Sequence, residues 1–301
     1  MIVSTDHRRS TGTAALVDMP AVQMELGECP LWDHRHNRLY WVDIIRCTLF
    51  ERDWASGAIK TWPLPALGGG LGLLGDDELI VAAQTGLFRF SPNTGQYRFL
   101  LHPEPGMPSN RLNEGKTDDA GNFWIGSIST LGRRPEGALY RISAGGLVRQ
   151  VLSEIHVPNA LVFLPDKQML FSDSHLKTIW RFQVDLDDGT LSDRQVFVDD
   201  GVLPSIPDGA ALARDGTIWN AKFGGGRVVV YDQLAKVVAE VPLPVSQVTS
   251  CAFAGPELDH LVVTTAKRLL DDDQRRIQTE AGNLFIFKTD VSGRREPVCS
   301  L

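Results

Sequence analysis

Five side chains able to hold a cation or a polar ligand recur at matching places along this chain: Glu28, Arg111, Asn113, Asn159 and Asp208. Each stands just before or at the start of a short apolar segment that reads as a β-strand. Ser250 takes the matching place in one further segment, and another offers only the glycines Gly68 to Gly70. Two carboxylates, two amides and a guanidinium gathered at one place would be costly to desolvate unless they bound a cation or a polar ligand. Taken singly, an Asn or Asp there serves equally well as a turn cap. Recurrence at one position of a repeat shifts the set toward binding.

The elements that would gather them are repeats. A turn followed by a short apolar strand recurs six times, as DHRHNRLYWVD (33–43), GDDELIVAA (75–83), DDAGNFWIGS (118–127), PDKQMLFSD (165–173), RDGTIWNA (214–221) and PELDHLVVTTA (256–266). Each copy has one strand before it and a strand of alternating character after it, and helical periodicity is nearly absent. Units of roughly 40 to 48 residues with about four short strands apiece are the signature of propeller blades. The chain is therefore expected to be all-β, a six-bladed β-propeller with four-stranded blades over residues 21–301, preceded by a flexible extension over 1–20. AVQMEL (21–26) is expected to complete the last blade and leave no free sheet edge, with closure by the C-terminal REPVCSL (295–301) as the alternative. The inner strands of a propeller run the same way, so the residues that begin them converge at one mouth of the central channel.

Lys+Arg total 30 against 37 Asp+Glu, and the net charge of −7 offers no basic field to nucleic acid; small neutral or cationic ligands stay open. No apolar run matches a signal peptide or a membrane span, which points to a cytoplasmic chain with no membrane partner. Cys29, Cys47, Cys251 and Cys299 form no C-x-x-C pair, so neither a disulfide framework nor a zinc–thiolate site is indicated. GLGLLG (70–75) has the spacing of a dinucleotide fingerprint without the strand-to-helix context it needs. DLDDG (185–189) lacks the third ligand spacing and the closing Glu of a calcium loop. There is no G-x-S-x-G elbow and no pair of histidines at i, i+4, and only His156 and His175 fall near the expected mouth. KRLLDDDQRR (267–276) reads as a solvated loop or short helix over one face.

From about residue 22 onward the chain resembles the senescence marker protein, regucalcin and gluconolactonase group of six-bladed propellers. The resemblance is carried by LGECPLWDHRHNRLYWVDI, NRLNEGKTDDAGNFWIGS, GALYRI, PNALVFLPDKQMLFSDS, IPDGAALARDGTIWNAKFGGGRVVVYD and TSCAFAGPELDHLVVTTA, in the family's order. It implies one divalent cation at the channel mouth, held by Glu28, Asn159 and Asp208, with substrate contacts from Arg111 and Asn113 of the N-R-x-N motif. Calcium is the first candidate, with zinc, magnesium or manganese as alternatives. The implied substrate is a sugar lactone, opened with Asp208 serving both as ligand and as the group that activates water. Two departures stand out: Glu114 replaces the family's usual Asp, and the loop after the third blade's second strand offers only Glu136 in place of a sugar-binding carboxylate. The rival readings are a calcium-binding or protein-binding propeller without catalysis, and a phosphotriesterase or aryl esterase on the same site. The chain is expected to act as a monomer or small homo-oligomer.

Overall fold

The computed structural model describes residues 14–132 and 134–301. Their strands form six antiparallel sheets whose first strands are neighbours around a ring, which is the six-bladed propeller expected. The inner strands are Gly27–Asp33, Gly68–Leu74, Asn110–Thr117, Pro158–Leu164, Ile206–Leu212 and Val248–Ala254. Each is almost wholly buried, because its two faces lie against the neighbouring blades. The apolar interior is accordingly divided into six clusters, one for each seam between adjacent blades. Side chains on both faces of a blade must therefore be apolar, and the outermost strands carry the polar residues.

Ring closure differs from the expectation. The outermost strand of the last blade is Ala14–Asp18, antiparallel to Phe285–Thr289, and it lies within the stretch expected to be an extension. Of that stretch, residues 1–13 lie outside the described residues. AVQMEL forms no strand: Gln23 has φ of 55°, which breaks an extended run, and Met24 turns into the seam between the last and first blades. The C-terminal alternative fails as well. Val298–Cys299 pairs in parallel with Leu73 and Leu74, adding a fifth strand to the second blade at the channel end opposite the mouth. The run at 267–276 contains the short helix Asp272–Ile277, started by an Asp271 capping box. No helix among the described residues is long and apolar enough to cross a membrane.

Trp124 shows how a turn and a seam are joined. Its ring is fully buried between the third and fourth blades, and its Nε1 donates to Asp118 Oδ2 at 2.7 Å. Asp118 also accepts from the backbone N–H groups of Ala120 and Asn122. Trp124→Ala should destabilise the chain by about 3–5 kcal/mol, read as a lower urea midpoint. Trp124→Phe, which leaves Asp118 one donor short, should fall between, and a midpoint unchanged in both would overturn this account.

Candidate functional site

All six inner strands slip register at the same level. The breaks fall between Glu28 and Leu31, Gly68 and Gly70, Leu112 and Gly115, Asn159 and Val162, Pro207 and Ala210, and Val248 and Ser250. A bulge bends its strand and re-aims the side chain beside it. Cys29 and Ala160, which follow Glu28 and Asn159, have φ of 51° and 47°. Gly209 follows Asp208, and a Cβ there would lie 2.1 Å from Ser250 Oγ. The second blade contributes no side chain at this level because a Cβ on Gly69 would meet the Asn113 carbonyl at 2.6 Å.

Glu28, Arg111, Asn113, Asn159 and Asp208 all line one cavity of about 500 Å³ at the mouth. Ser250 lies deeper, lining a smaller space of about 20 Å³ in the channel. Hydrogen bonds link the polar groups across three blades. Arg111 Nη1 donates to Asn113 Oδ1 at 2.7 Å, and Asn113 Nδ2 donates to Pro158 O at 2.8 Å and Asn159 Oδ1 at 3.3 Å. Asn159 Nδ2 donates to Ser174 Oγ at 2.9 Å, and that hydroxyl donates to Pro207 O at 2.6 Å. This chain of donors fixes both amides with the Asn159 oxygen on the Asn113 side.

The supports beneath are carboxylates at the ends of second strands. Asp43 accepts the backbone N–H groups of Glu25, Leu26, Ile45 and Arg46. Asp173 accepts those of His156, Val157 and His175. Each thereby pins the approach to an inner strand, the first carrying Glu28 and the fourth carrying Asn159.

Electrostatics mark the site as incomplete on its own. Burial first, then the Glu114 carboxylate, pushes Glu28 up to about 8. Burial, then Glu28 and Glu114, pushes Asp208 well above the usual carboxylate range. Burial lowers Arg111 to about 10 despite its acidic neighbours. Asp208 Oδ1 is buried with no hydrogen-bond partner. Two crowded carboxylates, an amide oxygen and an orphaned acceptor make an oxygen-only donor set, which fits a hard divalent cation.

Comparison with known proteins identifies the family. A family model described as SMP-30/Gluconolactonase/LRE-like region matches residues 26–267. The chain belongs to this family. Within the family it is 32% identical to 6-deoxy-6-sulfogluconolactonase of Pseudomonas putida, over 94% of this chain and 97% of that one. It is also 32% identical to L-arabinolactonase of Azospirillum brasilense, over 89% and 90%. The crystal structure of regucalcin, a calcium-binding protein of Agrobacterium tumefaciens, superposes with a TM-score of 0.91 at 30% identity, covering 95% of this chain and 98% of that one.

Several cavity residues escaped the sequence reading. Arg268 and Leu269, from the run taken as a solvated loop or helix, line the mouth. His175, which the sequence does place near the mouth, lines it as expected, stacked on His156 with centroids 4.4 Å apart. Ser129 lines the wall and donates to Glu136 Oε2 at 2.8 Å, which places that carboxylate one side chain behind the cavity.

Ser174 tests the network. Ser174→Ala removes the acceptor for Asn159 Nδ2 and the donor to Pro207 O, both buried. It should cost about 1–3 kcal/mol of stability, read as a lower melting temperature. An unchanged melting temperature would show that the Asn159 amide needs no such anchor.

Proposed function

We propose that this protein is a divalent-cation-dependent hydrolase that opens the ester of a sugar lactone in the cytoplasm. The observation that carries this reading is the placement of Glu28, Asn159 and Asp208 beside Arg111 and Asn113 in one cavity, with the Asp208 Oδ1 acceptor unpartnered. Glu28, Asn159 and Asp208 would hold the cation, calcium being the first choice for an all-oxygen set. When bound, the cation would supply Lewis acidity to the ester carbonyl. The lactone-specific names of the Pseudomonas and Azospirillum relatives support the substrate class.

The side chains divide the remaining work. The Arg111 guanidinium, oriented by Asn113 Oδ1, offers its remaining donors to ring hydroxyls or the carbonyl and fixes the ring's orientation, with Asn113 lining the wall beside it. Asp208 takes a proton from the attacking water as the water oxygen bonds to the carbonyl carbon. The bond from that carbon to the ring oxygen breaks, the proton passes to the departing oxygen, and a hydroxy acid results.

Removal of divalent ions with a chelator should abolish lactone hydrolysis and lower the melting temperature, and added calcium should restore both. Full turnover by the metal-stripped chain would sink the mechanism. Calcium binding without turnover on any aldonolactone would instead favour the non-catalytic reading, which the calcium-binding regucalcin neighbour keeps in view. Asp208→Asn keeps an oxygen ligand and removes the proton acceptor, so turnover at saturating calcium should fall about a hundredfold or more. Near-normal turnover in that variant would place the base on another residue.

A further inference from the structure

We propose that Arg268 forms an anion subsite at the rim of the mouth, and that the lactone opened here carries an oxyanion group, such as a phosphate or sulfate ester, remote from its ring carbonyl. The lactone part of this inference rests on the function proposed above; the anion subsite rests on the rim itself.

Arg268 lines the same cavity as Arg111, Asn113 and Asp208. Its basic neighbours are occupied. Lys267 Nζ donates to Gln23 Oε1, Arg275 pairs with Glu25 at 2.6 Å, and Arg46 lies 3.8 Å from Asp43. The Arg268 side chain has no hydrogen bond or ion pair among the described residues. Its charge is felt inside the cavity, where it is one of the causes that hold Arg111 down.

The backbone holds it there. The N–H groups of Lys267 and Arg268 both donate to Glu25 O, at 3.1 and 2.9 Å. Leu269 has φ of 64° and also lines the cavity, although that conformation is disfavoured for a bulky side chain. Strain of this kind concentrates at binding sites. In a chain of net charge −7, an unpaired guanidinium at the edge of a cavity with apolar walls and a few polar groups suits a group that neutral ring hydroxyls do not supply. A planar fork meets two oxygens of a phosphate or sulfate at once.

Calorimetry of the full chain in calcium buffer, titrated with gluconate, gluconate 6-phosphate and gluconate 6-sulfate, tests the subsite. These open-chain acids contain no ester, so the comparison needs no turnover. Both esterified acids should bind about tenfold or more tightly than gluconate, a preference that shrinks with added salt because the rim is exposed. In Arg268→Gln the ratio of dissociation constants should fall close to one, and Arg268→Lys should keep part of it. Tighter binding of the phosphate than the sulfate would assign the preference to charge, and equal binding to the shared fork geometry; either supports the subsite. A wild-type ratio near one, a ratio that survives in Arg268→Gln, or no binding of any of the three acids would overturn it. A preserved ratio in a protein that hydrolyses no lactone would leave the subsite standing and remove the lactonase reading, whereas hydrolysis of neutral lactones with a ratio of one would do the reverse.

Discussion

Glu28 and Asp208 are buried together, and the site is organised around the cost of that. Burial raises the proton affinity of both carboxylates, Glu28 raises that of Asp208 further, and Glu114 adds to both. Arg111 offsets only part of this, since burial weakens its own charge as well. A cavity with two crowded carboxylates and an unpartnered Asp208 oxygen is therefore most stable with a positive guest. The N–H and O–H groups nearby are committed to one another through the two asparagine amides, Ser174 and the Pro158 and Pro207 carbonyls, which leaves the carboxylates and the second lone pair of Asn159 Oδ1 as the open acceptors.

That arrangement requires side chains from three blades to reach the same point, and a regular strand would not allow it. Alternation sends successive residues to opposite faces, toward the seams between blades. The register breaks free one residue per inner strand from that alternation and turn it toward the mouth. Because the break recurs in all six blades, it belongs to the fold; the proposed ligands are the residues that occupy three of its six positions. Glycine occupies the position in the second blade, where the third blade's backbone comes too close for any side chain.

The repeats and the polar residues that start the inner strands were legible because both follow from local pattern: turn residues, apolar alternation and a fixed spacing between copies. Ring closure was not. Ala14–Asp18 is an outermost strand, with Leu16 and Val17 51% and 54% exposed, so its side chains carry little of the burial periodicity that marks a strand. Main-chain hydrogen bonds to Phe285–Thr289 hold it, and those leave no trace in residue type. AVQMEL looked more like a strand because of its apolar alternation, yet Met24 fills the seam between the last and first blades and Leu26 the one between the first and second, both from a bent backbone. Arg268 and Leu269 were hidden for a related reason. In sequence they merge with the charged helix that follows, and only the Glu25 carbonyl, some 240 residues away by chain order, turns them over the mouth.

The far end of the channel explains why Glu114 can be a glutamate. Lys116 projects into the channel from the same strand and pairs with Glu296 of the C-terminal segment at 2.8 Å, while its charge also stabilises ionised Glu114. Burial, only partly offset by Lys116, holds Glu114 at about 7. The C-terminal segment that brings Glu296 is fixed by the Ala213–Gly293 bridge, the Ser300 N–H to Gly121 O bond and the parallel pair with Leu73 and Leu74. Beside Lys116 and Glu296 the channel keeps spaces of about 50 and 20 Å³, too small for a sugar ring. Along the channel, a ligand of that size therefore fits at the mouth, where the carboxylates and both guanidiniums face it. Down the channel three like charges, Asp208, Glu28 and Glu114, thus lead to the Lys116–Glu296 ion pair, and Lys116 offsets part of the cost of burying Glu114 above it.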